Sequence, residues 1–90
     1  MQVVQTGSFV KAVKKLHANQ KQDLDVAIKV IIADPALGEV KKGDLAGVQV
    51  YKFRMVGQLT LLAYSYHADV LTLTLLALGS HENFYRDVKR

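Results

Sequence analysis

Three observations predict an α+β fold for this 90-residue chain. Apolar residues recur at helical spacing only in the first third. Alternating and then dense apolar runs fill the second half. The links between those later runs are short enough to make sequential strands antiparallel neighbours. The expected architecture is an N-terminal strand and an antiparallel helical hairpin packed on one face of an antiparallel β-meander sheet, closed by a short C-terminal helix.

Each element follows from its residues. Gln2-Val3-Val4-Gln5 is a short strand candidate. Thr6-Gly7-Ser8 has helix-start chemistry, with Ser8 as the expected N-cap. Phe9, Ala12, Val13 and Leu16 then share one helical face, leaving Lys11, Lys14 and Lys15 mostly off it. His17 to Gln20 reads as a polar break. A second helix is predicted over 21–33, with Leu24, Ala27, Ile28 and Ile31 as its stripe, widened by Val30 and Ile32. Asp34-Pro35 ends it, because the residue before proline is pushed out of the α region. Residues 36–47 carry three glycines and several charges and read as loop. A strand over 48–55 places Tyr51, Phe53 and Met55 on one face and Val50, Lys52 and Arg54 on the other. Residues 56–58 form a turn, 59–66 a mostly buried strand, 67–69 a turn, and 70–78 a third strand ending at Gly79.

Composition narrows the function classes. The length fits one domain over residues 1–90. No apolar run is long enough to span a membrane. The N-terminus carries no secretory pattern, so a cytoplasmic location is expected. Zero cysteines exclude disulfides and thiolate metal sites. Lys plus Arg outnumber Asp plus Glu by 12 to 8, for a net charge of +4. That balance suits a polyanionic partner, and equally a merely solubilising surface.

The candidate chemistry is cationic. Lys52 and Arg54 lie two apart on a strand and so share a face, where arginine can grip two phosphate oxygens at once. The bland alternative is a charged sheet edge that discourages aggregation. Lys41 and Lys42 extend the basic surface from the preceding loop, where charges are commonly just solvated. Past the last strand, Ser80 is placed to cap a short helix that brings His81 and Tyr85 onto one face. His81 titrates near neutrality and can exchange a proton, and Tyr85 can stack on a base or donate to a phosphate oxygen. Glu82 with Arg86 reads as an i, i+4 pair supporting that helix. His17 and His67 read as surface residues. No HxH, HxxxH or HExxH spacing occurs, so neither a metal nor any other cofactor is expected. Glu39, Asp44 and Asp69 are expected in loops and form no evident acid pair.

The order of elements and three local patterns resemble the RelE/ParE superfamily of toxins from bacterial type II toxin–antitoxin systems. The helix beginning Ser8-Phe9-Val10-Lys11-Ala12-Val13 resembles the family's first helix. Lys42-Gly43-Asp44-Leu45-Ala46-Gly47 resembles its K-x-L-x-G element, and Gly79-Ser80-His81-Glu82-Asn83-Phe84-Tyr85 resembles the ending of its YafQ-like branch. The resemblance implies a small toxin held inactive by an antitoxin whose acidic C-terminal segment wraps it. It implies a metal-independent endoribonuclease that cuts mRNA in the ribosomal A site and so inhibits translation. Carried over by position, His81 is the acid or base, Lys52 and Arg54 hold the scissile phosphate, and Tyr85 positions a base or phosphate. Glu39 matches a loop carboxylate that some members use as general base. Lys41, Lys42 and Arg86 fall on the implied nucleic-acid surface. The arginine that the family's ribonucleases often carry on the second meander strand has no counterpart in Leu61-Leu62-Ala63-Tyr64. The Asp or Trp accompanying the terminal His of the YafQ-like branch has no evident counterpart either. These departures keep a ParE-like DNA gyrase inhibitor, without nuclease activity, as the alternative.

Overall fold

A computed structural model describes residues 1–43 and 46–80. Its elements are β1 (Gln2–Gln5), α1 (Gly7–Lys14), α2 (Ala18–Ala33), β2 (Glu39–Val40), β3 (Gln49–Met55), β4 (Gln58–His67) and β5 (Thr72–Ser80). The strands form one sheet in the order β1-β5-β4-β3-β2. The β3-β4-β5 meander is antiparallel, as expected. The sheet as a whole is mixed, because β1 runs parallel to β5. The chain leaves β1 into the two helices and re-enters at the far edge, and the meander then returns its last strand alongside β1.

Both helices cover the same sheet face, α1 against β5 and α2 against β3. Phe9, Leu24 and Ile31 from the helices meet Met55, Leu62, Tyr64, Leu73 and Leu75 from the sheet in one buried cluster. Val13, Leu16 and Ile28 join it, so the helical spacing read from the sequence does mark the core face. Ile32 is exposed rather than part of the stripe. The opposite sheet face holds a smaller cluster of Val50, Leu61 and Ala63, with Val48, Leu76 and Ala77 against it.

Several boundaries shift for local reasons. Thr6, not Ser8, caps α1: its Oγ1 accepts from the Phe9 N–H at 3.2 Å and donates to the Leu76 carbonyl at 2.7 Å. Leu76 is the extra residue of a bulge, since Ala63 pairs with Ala77 while Tyr64 pairs with Leu75. One hydroxyl therefore starts the helix and engages the irregular point of the sheet. The second helix begins at Ala18 instead of Lys21, because Gln20 folds back and its Oε1 accepts from the His17 N–H at 2.8 Å. His17 is exposed, as is His67, the last residue of β4. Val70 and Leu71 are exposed and precede β5, which runs through Gly79 to Ser80 because both residues pair with β4. The segment expected to be all loop contains a 3₁₀ turn at Pro35–Leu37 and the two-residue strand β2, which places Glu39 in the sheet. Asp69 sits in a 3₁₀ turn at Ala68–Val70. Asp44, Leu45 and the expected C-terminal helix lie outside the described residues.

Candidate functional site

Strand pairing builds the site on the face opposite the helices. Glu39, Val50, Ala63 and Ala77 form one row across β2, β3, β4 and β5. Lys52, Leu61 and Gly79 form the next row, and Arg54 with Leu59 the row beyond. Alternation along β3 puts Val50, Lys52 and Arg54 on this face, with Val50 buried and the two cations exposed. The two cations stand about 7 Å apart along the strand. Arg54 Nη1 donates to the Gly57 carbonyl at 3.2 Å, which holds the guanidinium at the hairpin and leaves its other donors for a ligand. Glu39 reaches the same face one row back, and its Oε1 lies 3.4 Å from Lys41 Nζ. The Lys41 side chain is only 19% exposed, so it lies along the surface rather than extending into solvent. Lys42 is exposed.

Tyr64 fixes the segment that carries Glu39 and Lys41. Its hydroxyl donates to the Pro35 carbonyl at 2.7 Å and accepts from the Gly38 N–H at 2.8 Å. Gln49 Nε2 adds bonds to the Pro35 and Gly38 carbonyls at 3.0 and 3.3 Å. A side chain at position 38 would collide with the Tyr64 ring, so glycine is required by close approach there. Burial pushes the Tyr64 phenol above its ordinary pKa of 10.0, with the Asp34 charge adding to the rise against the opposing Gly38 hydrogen bond. Neither Tyr64 nor Gln49 stands out in the sequence as an anchor. A polar tip closing the aliphatic run Leu61 to Ala63 is the one signal that points to Tyr64.

On the helix side, Asp23 of α2 reaches the β3–β4 hairpin. Its Oδ2 accepts the Val56 N–H at 2.7 Å. Val56 and Gly57 both have positive φ, 50° and 80°, as a two-residue hairpin turn requires. Between α2 and β3 lies a cavity of about 150 Å³, lined by Asp23, Val26, Ala27 and Val30 of the helix and Tyr51, Phe53 and Arg54 of the strand.

The structure thus gathers Glu39, Lys41, Lys52 and Arg54 on one sheet face. His81, Tyr85 and Arg86 lie outside the described residues. Ser80, the last described residue, stands opposite Thr60, which is itself opposite Phe53. The strand therefore delivers the chain two strands, or about 10 Å, from the Lys52–Arg54 stretch. Where the second meander strand of the family's ribonucleases often carries arginine, Leu61, Leu62, Ala63 and Tyr64 are all fully buried. Among the described residues no three His, Cys, Asp or Glu side chains form a metal-binding group. No described helix is long and apolar enough to cross a membrane.

The fold has well-matched relatives. RelE in the intact E. coli RelBE toxin–antitoxin complex superposes with a TM-score of 0.70 at 14% identity, over 88% of this chain and 94% of that one. A YoeB/ParE toxin from Agrobacterium tumefaciens gives 0.70 at 20% identity, over 90% and 99%. An E. coli RelE mutant bound to a peptide of its antitoxin RelB gives 0.70 at 17%, over 99% and 95%. At these identities the likeness establishes the fold alone. No protein of curated function matches the sequence significantly. The family model for the ParE-like toxin of type II bacterial toxin–antitoxin systems matches residues 3–89. With that match spanning nearly the whole chain on a RelE-like fold, the protein belongs to the ParE-like toxins of type II toxin–antitoxin systems.

Proposed function

We propose that this toxin is a ribosome-dependent mRNA endoribonuclease of the bacterial cytoplasm that works through side chains alone. The observation that carries this reading is the exposed pair Lys52 and Arg54 on the same sheet face as Glu39 and Lys41. In this reading the 2′-hydroxyl of the substrate attacks the adjacent phosphorus, and the bond to the 5′-oxygen breaks. A base, Glu39 or His81, takes the 2′ proton. Lys52 and Arg54 neutralise the charge gathering on the pentacovalent phosphate. An acid returns a proton to the leaving 5′-oxygen, a role that suits His81. Tyr85 positions the base or phosphate, while Lys42 and Arg86 extend the cationic track. Lys41 holds Glu39 on the working face. The partner is an antitoxin with an acidic C-terminal segment, by analogy with RelE, which is seen bound to RelB.

Programmed ribosomes incubated with the wild-type chain should yield cut mRNA. His81→Gln should reduce cleavage by about 10²–10⁴-fold at unchanged thermal stability. Intact mRNA with the wild-type chain would reject the nuclease reading. A specific observation favours a second reading, inhibition of DNA gyrase. Every residue from Leu61 to Tyr64 is buried and uncharged, and the matching family model is the ParE-like one. Loss of supercoiling by purified gyrase, with mRNA left whole, would establish that reading instead.

A further inference from the structure

We propose that the free edge of β1 pairs with the same edge of a second copy of the chain, joining two sheets into one across a two-fold axis at Val4. This goes beyond the reading above and does not depend on RNA cleavage. β1 is the last strand of the sheet and pairs only with β5, so its outer side has no neighbour among the described residues. The Gln2 and Thr6 N–H groups turn inward, donating to the Leu71 and Leu75 carbonyls at 2.9 and 3.0 Å. Alternation turns the N–H and C=O groups of Val3 and Gln5 outward, ready to pair. The helix that follows, α1, packs against β5 and leaves all four residues of β1 exposed.

The two ends of the sheet differ in chemistry. At the β2–β3 end, Glu39, Lys41, Lys52 and Arg54 put charge beside the edge, a device that discourages strands from adding there. β1 has no charged side chain, no proline and no bulge. Val3 is 40% exposed and Val4 39%, and Met1, Val70 and Leu71 are exposed beside the start of the strand. An uncharged, β-branched edge offers nothing to a charged segment and fits another of its own kind. The chain itself supplies one.

Symmetry fixes the register. Two copies of a strand pair antiparallel, edge to edge, about a two-fold axis normal to the sheet, which keeps every residue on its own face. Directly opposed residues share a face, so the axis passes between Val3 and Val3 or between Val4 and Val4. Centring on Val3 would draw Met1, which lies outside the strand, into the ladder. Centring on Val4 sets Val3 against Gln5 of the second copy, and Gln5 against its Val3. Four main-chain hydrogen bonds then close between groups that already point outward. The Val4 side chains meet at the closer, non-hydrogen-bonded position. Val3 and Gln5 pair with Leu73 and Leu75 of the helix-side core, so Val4 stands on the opposite face, the one that carries Lys52 and Arg54. The product is a sheet of twice five strands with the helices of both copies on one face. Both cationic clusters lie on the other face, seven strand spacings or about 34 Å apart, and neither is covered.

A six-residue ribbon falls short of the roughly 1,200 Å² of a stable interface, so the dimer should be weak, with a Kd on the order of 10⁻⁴ M. Sedimentation equilibrium of the full chain, from about 10 µM to about 1 mM, should show the mass rising toward twice that of the monomer. Val4→Lys and Val4→Glu, at an exposed position, should each stay monomeric with an unchanged melting temperature. Mixed together they should associate again, because opposite charges then face each other on the axis. The chain has no cysteine, so Val4→Cys introduces a single thiol. Mild oxidation should link Val4→Cys chains into dimers and leave Val3→Cys chains, whose thiols face Gln5, mostly unlinked. A wild-type chain that stays monomeric across the range would overturn the proposal. So would association unaffected by Val4→Lys, a charge-swapped mixture that stays monomeric, or equal cross-linking at the two positions. Slow hydrogen exchange of the Val3 and Gln5 amides in the monomer would overturn it too, since another segment of the chain would then already occupy this edge.

Discussion

On the helix side of β3, Tyr51 and Phe53 stack on one another and Met55 is buried among core residues from both helices. On the other side Val50 is buried, but Lys52 and Arg54, the next two residues on that face, reach solvent. One seven-residue strand therefore carries packing on one face and charge on the other. The same backbone holds both, so the cations sit on a strand whose other face is anchored in the core. Substitutions on the two faces should fail in different ways, which is how the comparison can be broken.

The largest expected effect is catalytic. Replacing Lys52 and Arg54 together with Ala should reduce mRNA cleavage by about 10²–10³-fold, as when donors to a developing negative charge are removed. The melting temperature should barely move, because exposed charges contribute little to stability. A large drop in stability with retained cleavage would erase the distinction between the faces. The opposite face should show the reverse. Leu62→Ala, at a fully buried position of β4 in the helix-side cluster, should cost about 2–5 kcal/mol in denaturant unfolding. Molecules still folded should keep their cleavage rate.

The sequence made the alternation of β3 legible because a half-buried strand has a period of two and every residue from Tyr51 to Met55 obeys it. The helical faces were equally plain in Phe9, Val13, Leu24 and Ile31. The link between α2 and β3 was not. Pro35, Gly38 and several charges spell loop by composition. Only a tertiary contact, the Tyr64 hydroxyl from a strand far along the chain, turns part of that stretch into β2 and puts Glu39 in the sheet. The parallel placement of β1 was hidden for a similar reason. Four residues without charge carry no information about which neighbour they pair with. The positions of Lys52 and Arg54 within the candidate site followed from periodicity, whereas Asp23, Gln49 and Tyr64 act across distances that no local pattern encodes.

Tyr64 offers an intermediate effect that sharpens the comparison, since its hydroxyl stabilises the fold while fixing the segment that carries Glu39 and Lys41. Tyr64→Phe leaves the Gly38 N–H and the Pro35 carbonyl without their hydroxyl partner, so a loss of about 1–3 kcal/mol is expected. It also has a pH signature. The phenol's pKa is raised in the folded state above the ordinary 10.0, so above that pH the unfolded chain gives up the proton first. The stability that the neutral phenol supplies is fully present below pH 10.0 and falls as pH rises through the folded value. Unfolding curves recorded on both sides of that pH should show a steeper alkaline loss for the wild type than for Tyr64→Phe. Equal slopes would mean that the hydroxyl is not the group being titrated.

The smallest effect lies at the hairpin tip, where the two faces of β3 end and the chain turns into β4. Val56 has φ of +50°, a left-handed conformation that a β-branched side chain adopts at a cost of roughly 1–2 kcal/mol. Asp23 bonds its N–H at 2.7 Å and so helps to hold the strained residue in place. Asparagine is favoured at this position of a two-residue hairpin turn that continues with glycine, and Gly57 is already present. Val56→Asn should therefore raise the unfolding free energy by about 1 kcal/mol, with the backbone bond to Asp23 intact. Asp23→Ala should act in the opposite sense by a similar amount, since it removes the acceptor from a charge-assisted hydrogen bond near the surface. If the Val56 N–H is held chiefly because the residue is strained, the Asp23→Ala penalty should shrink in the Val56→Asn background. A double-mutant cycle with no coupling would show that the carboxylate and the turn stabilise the hairpin independently.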